Sequence, residues 1–208
     1  MRISVTELDH WRLYHEQDWM SYSDFIDGLS GKKVENDKMM AGSAFHKQLE
    51  ETEQGEEIPN RFTQNEIEFE LKFHKKFYMP KIRELKIEKH FTVDGMSVTL
   101  VGKTDSLEGK QVWDHKLTES FDVEKYLDSL QWRAYLDMFD CDRFTYNCFE
   151  GAKKRSGRVE VDDVHVFSFY RYPGLERDYQ DVVYDLARFM RDTLPHRITF
   201  GDEKLAVI

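Results

Sequence analysis

The stretch that decides the fold is Val98–Thr118, whose sequence is VTLVGKTDSLEGKQVWDHKLT. Two β-rich runs flank the turn at Glu108-Gly109, and this pattern predicts a β-hairpin. Side chains alternate along a strand, so Asp114 and Lys116 share one face while the residue between them points away. Pairing across the turn brings Asp105 of the first strand within reach of Asp114.

This hairpin predicts a site for a divalent cation. Two carboxylates that lie close together repel each other unless a cation lies between them, and hard oxygen ligands suit Mg²⁺ or Mn²⁺. Lys116 could then orient or deprotonate a water molecule, or stabilise the negative charge of a phosphate. The same residues also allow simpler structural roles. Asp105 could cap the turn, and Asp114 with Lys116 could be an ordinary pair on one face of a strand.

Composition predicts one folded domain of 208 residues, with 40% hydrophobic and 14% aromatic residues. The formal net charge of -10 argues against a protein that coats nucleic acid by global attraction. It does not exclude a nuclease, because metal ions and a local basic groove can reverse the field. The two cysteines, Cys141 and Cys148, are expected to be buried and reduced. No apolar run approaches roughly 20 residues and the N-terminus is polar, so we expect a cytoplasmic protein.

Residues 1–80 are predicted to form a mainly helical N-terminal part. Ser4 or Thr6 can cap a first helix. A later helix carries His46 on a face that could point toward the acidic hairpin, and its small residues Ala41, Gly42 and Ala44 would let it approach a sheet closely. The segment Thr63–Tyr78 is interpreted as a helix with a basic flank made by Lys72, His74, Lys75 and Lys76.

Residues 81–171 are predicted to form the sheet core. Arg83–Val93 reads as a strand that turns at Asp94-Gly95 into the central hairpin. Glu88 on this strand is either an accessory acidic group of the site or an exposed carboxylate. Helix 122–139 places Gln131 and Tyr135 on one face, two strands follow, and a closing helix spans 174–194.

The segment that joins the last two predicted strands is the densest basic cluster of an acidic chain. We predict it as a nucleic-acid contact, with a solvated loop as the alternative. Its cations are Lys153, Lys154, Arg155 and Arg158. The order of helices and strands along the chain predicts an α/β fold with a central mixed β-sheet flanked by helices.

Four short motifs in this order resemble those of the PD-(D/E)XK nuclease superfamily, in its RecB-like and lambda-type exonuclease branch. They are Gly42-x-x-x-His46, Gly102-x-x-Asp105, Asp114-His115-Lys116 and Gln131-x-x-x-Tyr135. Each motif alone is common, whereas four in the expected order on the expected elements are specific. The resemblance implies a restriction-endonuclease-like core and a single nuclease domain over residues 1–208.

The resemblance also implies roles for individual residues. The side chains of His46, Asp105 and Asp114 and the backbone carbonyl of His115 would hold one or two Mg²⁺ or Mn²⁺ ions, and Lys116 would be the catalytic lysine. Gln131 and Tyr135 would line the site and hold the lysine or a phosphate, with simple packing as the alternative. Asp114 stands where many relatives have Glu, and the cysteines that hold an iron-sulfur cluster in some relatives are absent, so no cluster is expected.

The function implied is a metal-dependent DNA nuclease, an exonuclease that hydrolyses phosphodiester bonds at DNA ends in recombination, repair or phage DNA processing. Two alternatives remain open: a structure-specific or sequence-specific endonuclease on the same fold, and a non-catalytic DNA-binding subunit. The partners implied are DNA and a single-strand annealing or recombination protein, and the chain could form an oligomer. The resemblance places the protein in a bacterial cell or a phage-infected host.

Overall fold

The computed structural model describes residues 1–16, 20–32, 36–52, 57–73 and 77–197. Within these residues the strands form one mixed sheet in the order β1-β5-β6-β7-β8-β3-β2, and β4 pairs with β5. The β1–β5, β6–β7 and β3–β8 pairs are parallel and the other pairs are antiparallel. The strands are β1 Arg2–Ser4, β2 Arg61–Gln64, β3 Ile67–Leu71, β4 Ile82–Val93, β5 Met96–Glu108, β6 Gln111–Thr118, β7 Arg143–Lys153 and β8 Val159–Tyr170.

Helices cover this sheet from two sides. Four helices bury one side, where Tyr146 of β7 lies in the core, and another helix packs on the side where Phe149 of the same strand is buried. The first group is α1 Val5–Glu16, α2 Tyr22–Leu29, α5 Leu130–Met138 and α6 Leu175–Thr193, and the helix on the other side is α3 Asp37–Glu51. A short helix α4, Glu124–Leu127, precedes α5. The predicted fold class, a restriction-endonuclease-like α/β arrangement with a central mixed sheet flanked by helices, is confirmed.

The two predicted hairpins are present; the first has the predicted turn, and the second turns at Gly109-Lys110, one residue later than predicted. Asp94 and Gly95 both have positive φ, 49° and 80°, as a two-residue turn that matches the strand twist requires. The next turn leaves Glu108 paired with Gln111 and Ser106 paired with Trp113. One further step along both strands places Asp105 opposite Asp114, the two predicted acidic ligands.

The first helix is capped as a full capping box. The Ser4 hydroxyl accepts a hydrogen bond from the Glu7 backbone N–H at 3.3 Å, and the Glu7 carboxylate accepts one from the Ser4 backbone N–H at 2.6 Å. Of the two predicted caps, Ser4 is therefore the cap, while Thr6 lies inside α1. No helix within the described ranges is both long and apolar enough to cross a bilayer.

The helix predicted over Thr63–Tyr78 is wrong. This segment contributes to the β2–β3 hairpin, whose turn residues Asn65 and Glu66 have φ of 48° and 64°. Strand β3 then runs parallel to β8, with Glu70 opposite Glu160. The N-terminal part is therefore not helical throughout, since it supplies three strands. His74, Lys75 and Lys76 of the predicted basic flank lie outside the described residues.

Candidate active site

The β5–β6 hairpin brings the two predicted acids and the lysine together. Asp105 Oδ2 accepts a hydrogen bond from the backbone N–H of His115 at 2.7 Å, which ties the acid on β5 to the main chain of β6. Asp114 is buried, with 2% of its surface exposed. Lys116 Nζ lies 2.8 Å from Asp114 Oδ2, so the two side chains share one face of the strand as predicted.

The charges of these groups depend on one another. Burial, together with the negative charge of Asp114, raises the pKa of Asp105 far above the usual range of a carboxyl. Burial lowers the pKa of Lys116, but the charges of Asp114 and Asp105 outweigh it and raise that pKa above its usual value. Lys116 therefore stays protonated near neutral pH, and its ammonium compensates the buried acids.

His46 reaches the hairpin from α3, as predicted. Its Nδ1 lies 3.4 Å from Asp105 Oδ2, and burial lowers the pKa of the imidazole. Ala41 and Ala44 are buried on the side of α3 that packs on the sheet. Gly42 is different, because a Cβ built on it would meet no atom within 4 Å. The prediction that Gly42 brings the helix close to the sheet is therefore wrong.

Gln131 and Tyr135 hold the site from α5 in different ways. Gln131 Nε2 donates to Asp114 Oδ1 at 2.9 Å, so the amide fixes the buried carboxylate directly. The Tyr135 hydroxyl donates to the backbone carbonyl of Lys103 at 2.8 Å, so it fixes β5. Gly102 makes this contact possible, because a Cβ there would lie 2.7 Å from Tyr135 Cε1.

His115 points to the opposite face, as predicted. The Asn147 side-chain nitrogen can only donate, and it lies 3.2 Å from His115 Nδ1, which assigns the imidazole proton to Nε2. Nε2 lies 3.3 Å from the Ser106 hydroxyl. Burial lowers the pKa of His115 to about 3, so the ring is neutral. Its side chain thus anchors the backbone whose N–H holds Asp105.

The donor set suits a hard divalent cation. Within the described ranges, no three side chains among His, Cys, Asp and Glu are grouped closely enough to hold a metal by themselves. Mg²⁺ does not need such a cage, since proteins bind it through one or two carboxylates and it keeps several water molecules. Asp105 and Asp114 supply two carboxylates, and Asp114 Oδ2 is paired with the Lys116 ammonium at 2.8 Å. A single ammonium balances only one of the two negative charges that the acids can carry, so their donor oxygens fit an additional cation.

Glu84 is a residue of this region that sequence analysis missed. It lies in β4 between the Arg83–Ser106 and Leu85–Thr104 pairs, which puts it opposite Asp105. Its φ of 55° is unusual for a strand residue that is not glycine, and its carboxylate pairs with Lys103. Counting strand positions back from the Asp94-Gly95 turn would have identified it.

Two roles were open for Glu88, an accessory acid of the site and an exposed carboxylate, and the side chain is exposed. It lies opposite Val101 and pairs with Lys86 at 2.8 Å and Arg2 at 3.4 Å. These partners are surface cations of the edge strands, so they hold Glu88 away from the buried acids. Of the two alternatives for Glu88, the accessory role is therefore excluded and the exposed carboxylate is confirmed.

The predicted nucleic-acid cluster lies at the tip of the β7–β8 hairpin, where β7 ends at Lys153 and β8 begins at Val159. Most of its cations are already paired with acids. Lys153 lies 2.8 Å from Asp37, Lys154 lies 3.5 Å from Asp162, and Arg158 lies 2.8 Å from Glu70 and 3.4 Å from Glu68. Arg155 is exposed, and no described residue forms an ion pair with it. The contact with nucleic acid stays a prediction, with Arg155 as its least engaged cation.

Fold and site together define the class of protein: a restriction-endonuclease-like α/β chain with one buried carboxylate, one half-buried carboxylate and a lysine on its central hairpin. No family model matches the sequence, and no curated protein matches it. The comparisons with solved structures therefore stand on fold alone.

Solved structures similar to this chain include the following three. The chain is similar to SSO0001 with a TM-score of 0.54 at 15% identity, over 90% of this chain and 76% of that one. It is similar to a candidate exonuclease from Eubacterium rectale with a TM-score of 0.50 at 11% identity, over 91% and 80% of the two chains. The third is the alkaline exonuclease LHK-Exo of Laribacter hongkongensis in complex with dAMP, with a TM-score of 0.49 at 10% identity, over 93% and 90%.

Proposed function

We propose that this protein is a Mg²⁺-dependent or Mn²⁺-dependent deoxyribonuclease, an exonuclease that hydrolyses phosphodiester bonds at DNA ends. The observation that carries the proposal is the convergence of Asp105, Asp114 and Lys116 on one hairpin. The fold shared with the Eubacterium rectale structure supports the same class of reaction, since that protein bears an exonuclease name.

Asp105 and Asp114 would hold the metal, together with the backbone carbonyl of His115. His46 would complete this set from α3, where it already contacts Asp105. When bound, a divalent cation lowers the pKa of a water molecule and neutralises charge on the phosphoryl oxygens. The buried acids suit this task because their mutual repulsion is relieved by a cation.

Lys116 would act as a fixed positive charge. In the metal-free protein, the charges of Asp114 and Asp105 raise its pKa and keep the ammonium protonated near neutral pH, and in this form the group can donate to a phosphate oxygen. A positioned cation in a site of low water content stabilises the negative charge that grows on phosphorus oxygens during attack. Of the tasks predicted for this lysine, charge stabilisation is therefore the one that we propose.

Gln131 and Tyr135 would position these groups without taking part in the chemistry. The Gln131 amide orients the Asp114 carboxylate through its hydrogen bond at 2.9 Å. Tyr135 fixes the main chain of β5 two residues before Asp105. Geometry held in this way reduces the reorganisation required during the reaction.

The proposal is tested by digestion of end-labelled linear DNA, single-stranded and double-stranded, beside covalently closed circular DNA. With Mg²⁺ we expect labelled nucleotides to be released from a linear substrate, no release in excess EDTA, and an intact circle. Cleavage of the circle at a rate equal to the linear rate would replace the exonuclease with an endonuclease. Absence of cleavage with both Mg²⁺ and Mn²⁺ would reject the nuclease.

A further inference from the structure

Gly42 is the residue of the four motifs to which the proposed reaction gives no task. It lies in the interior of α3 with an ordinary helical backbone. A Cβ built on it would meet no atom of the described residues within 4 Å. Alanine is favoured over glycine inside a helix, so the fold alone would prefer a side chain at this position.

The other described glycines each have a reason within the chain. Three face a close neighbour, so that a Cβ would lie 2.1 to 2.7 Å from an atom; they are Gly28, Gly102 and Gly151. The remaining five have positive φ, which glycine adopts without strain. Gly42 is therefore the one described glycine that neither backbone conformation nor packing explains. A further reason for glycine is that a ligand can approach its backbone closely.

Gly42 lies between two contacts that tie α3 to the strands of the candidate site. One turn after it, His46 Nδ1 lies 3.4 Å from Asp105 Oδ2. One turn before it, Lys38 Nζ lies 2.5 Å from Glu119 Oε2 in the segment that follows β6. Residues four apart share one face of a helix, so Gly42 occupies the turn of this face between the two contacts. It is partly exposed, so a ligand can reach this turn.

A cavity of about 510 Å³ lies at the start of the same helix. Its wall contains Lys38 and Ala41 of α3 together with Leu117 and Thr118, which directly follow Lys116 in β6. Three lysines and two acids line this cavity, although the whole chain has a formal net charge of -10. These charged groups are Lys38, Lys125, Lys153, Asp37 and Glu119. A local excess of positive charge on an acidic protein favours an anionic ligand.

Lys125 is the least engaged of these three lysines. Its Nζ lies 3.9 Å from Asp122, and 66% of its side chain is exposed. Lys38 and Lys153 are closer to acids of the same wall, at 2.5 Å from Glu119 and 2.8 Å from Asp37. Such exposed pairs contribute little to stability, so a phosphate can replace the acid at small cost.

We propose that the DNA strand that carries the scissile phosphate crosses α3 at Gly42 and continues along this cavity, where its phosphates bind Lys125, Lys38 and Lys153. The inference rests on the proposed function, because the strand would reach the cavity from Asp105 and Lys116. The missing side chain of Gly42 leaves room for the sugar-phosphate backbone against the helix. A side chain at position 42 would then obstruct DNA without disturbing the fold.

The test is the affinity of Gly42→Gln for a fluorescein-labelled single-stranded oligodeoxynucleotide, measured by fluorescence anisotropy. Ca²⁺ replaces Mg²⁺ in this measurement, and electrophoresis shows that the DNA stays intact. Glutamine is uncharged and favours helices, so it adds bulk alone. We expect a Kd at least about tenfold above wild type, as overpacking of one contact implies, with a smaller rise for Gly42→Ala. Ser43→Gln, at the exposed neighbouring position of α3, is the matched control and should keep the wild-type Kd.

Two further measurements separate obstruction of DNA from a structural effect. Gly42→Gln should melt at or above the wild-type temperature, and calorimetry should give the wild-type affinity for Mn²⁺. A wild-type oligonucleotide Kd in Gly42→Gln would overturn the inference. Lower melting temperatures in both Gly42 variants would overturn it by assigning the glycine to packing, and a loss of Mn²⁺ affinity would overturn it by assigning the effect to His46.

Lys125→Gln tests the cavity. A lysine that contacts a phosphate of a single strand contributes about 0.7 to the slope of log Kd against log salt concentration, so this slope should fall by about 0.7. Lys47→Gln replaces an exposed lysine of α3 that is outside the cavity wall, and it should leave the slope unchanged. Equal slopes in wild type, Lys125→Gln and Lys47→Gln would overturn the assignment of the cavity.

The two proposals fail separately. Hydrolysis of DNA, combined with one oligonucleotide Kd shared by wild type, Gly42→Gln and Lys125→Gln, would overturn the strand path and leave the nuclease. Binding that responds to the variants as expected, without hydrolysis of any DNA in Mg²⁺ or Mn²⁺, would support the path and reject the nuclease. A wild-type protein that binds no oligonucleotide would overturn the path.

Discussion

Asp105 is the residue whose ionisation opposes folding in the metal-free protein. Burial and the charge of Asp114 raise its pKa, so the folded state binds this proton more tightly than the unfolded chain does. The stabilisation from the bound proton is complete below the unfolded carboxyl pKa of about 3.9 and is lost as the pH rises through the raised folded value. A cation at the acids would reverse this loss.

Replacing Asp105 by Asn should therefore flatten the pH dependence of stability. In EDTA, we expect the wild-type free energy of unfolding to fall between pH 5 and pH 8 by more than that of Asp105→Asn, measured by urea unfolding. Mg²⁺ at ten times its Kd should stabilise the wild type by about 1.4 kcal/mol, and the variant by much less. Asp181→Asn, an exposed acid on α6, is the matched control. Equal pH slopes in wild type and Asp105→Asn would contradict the electrostatic account.

Glu84 allows a test of backbone strain beside the site. A residue with a side chain pays roughly 1–2 kcal/mol to adopt positive φ, and glycine does not. Glu84→Gly should keep or raise the free energy of unfolding, although glycine usually weakens a strand by about 0.5–1 kcal/mol. Glu88→Gly, four residues along the same strand, should show the usual loss. Similar losses in both variants, measured by urea unfolding, would show that the Glu84 backbone is not strained.

At the scale of elements, two glycines from the motif series have opposite surroundings. Gly102 faces the Tyr135 ring, whereas Gly42 faces open space. Gly102→Ala should lose about 1–3 kcal/mol of unfolding free energy through overpacking, and should slow DNA hydrolysis because Tyr135 is displaced. Gly42→Ala should raise the free energy of unfolding by about 0.5–1 kcal/mol, since alanine is preferred to glycine inside a helix. Thermal melts of both variants measure these changes. A Gly102→Ala protein as stable as the wild type would refute the packing role of Gly102.

The elements that could be predicted from sequence are those with a local determinant. Asp94-Gly95 fixes the first turn and Gly109 the second, and once the turns are known the alternation of side chains fixes the register. The helix predicted over Thr63–Tyr78 is wrong. Its apolar residues Ile67, Phe69, Leu71 and Phe73 alternate with period two, which is typical of a strand. Its strand is stabilised by β8, some 90 residues away, and such a partner is not visible in a local pattern.

At the scale of the whole molecule, three distant segments meet at one hairpin. His46 arrives on α3, the acids and Lys116 lie on β5 and β6, and Gln131 arrives on α5. The order of the motifs predicted this meeting. Sequence did not reveal the ion pairs of the Lys153–Arg158 tip, because they depend on which elements lie side by side, whereas the position of Glu84 follows from the register of the Asp94-Gly95 hairpin.

The measurement that tests the central claim most directly is the rate of nucleotide release from linear DNA at saturating Mg²⁺ by wild type, Lys116→Met and Asp114→Asn. Each new side chain is close in shape to the one that it replaces. Circular dichroism and thermal melting should show that each variant folds. We predict that both rates fall at least about a hundredfold, the loss expected when one group that stabilises developing charge is removed. A wild-type rate in either folded variant would contradict the claim that these two residues perform the chemistry.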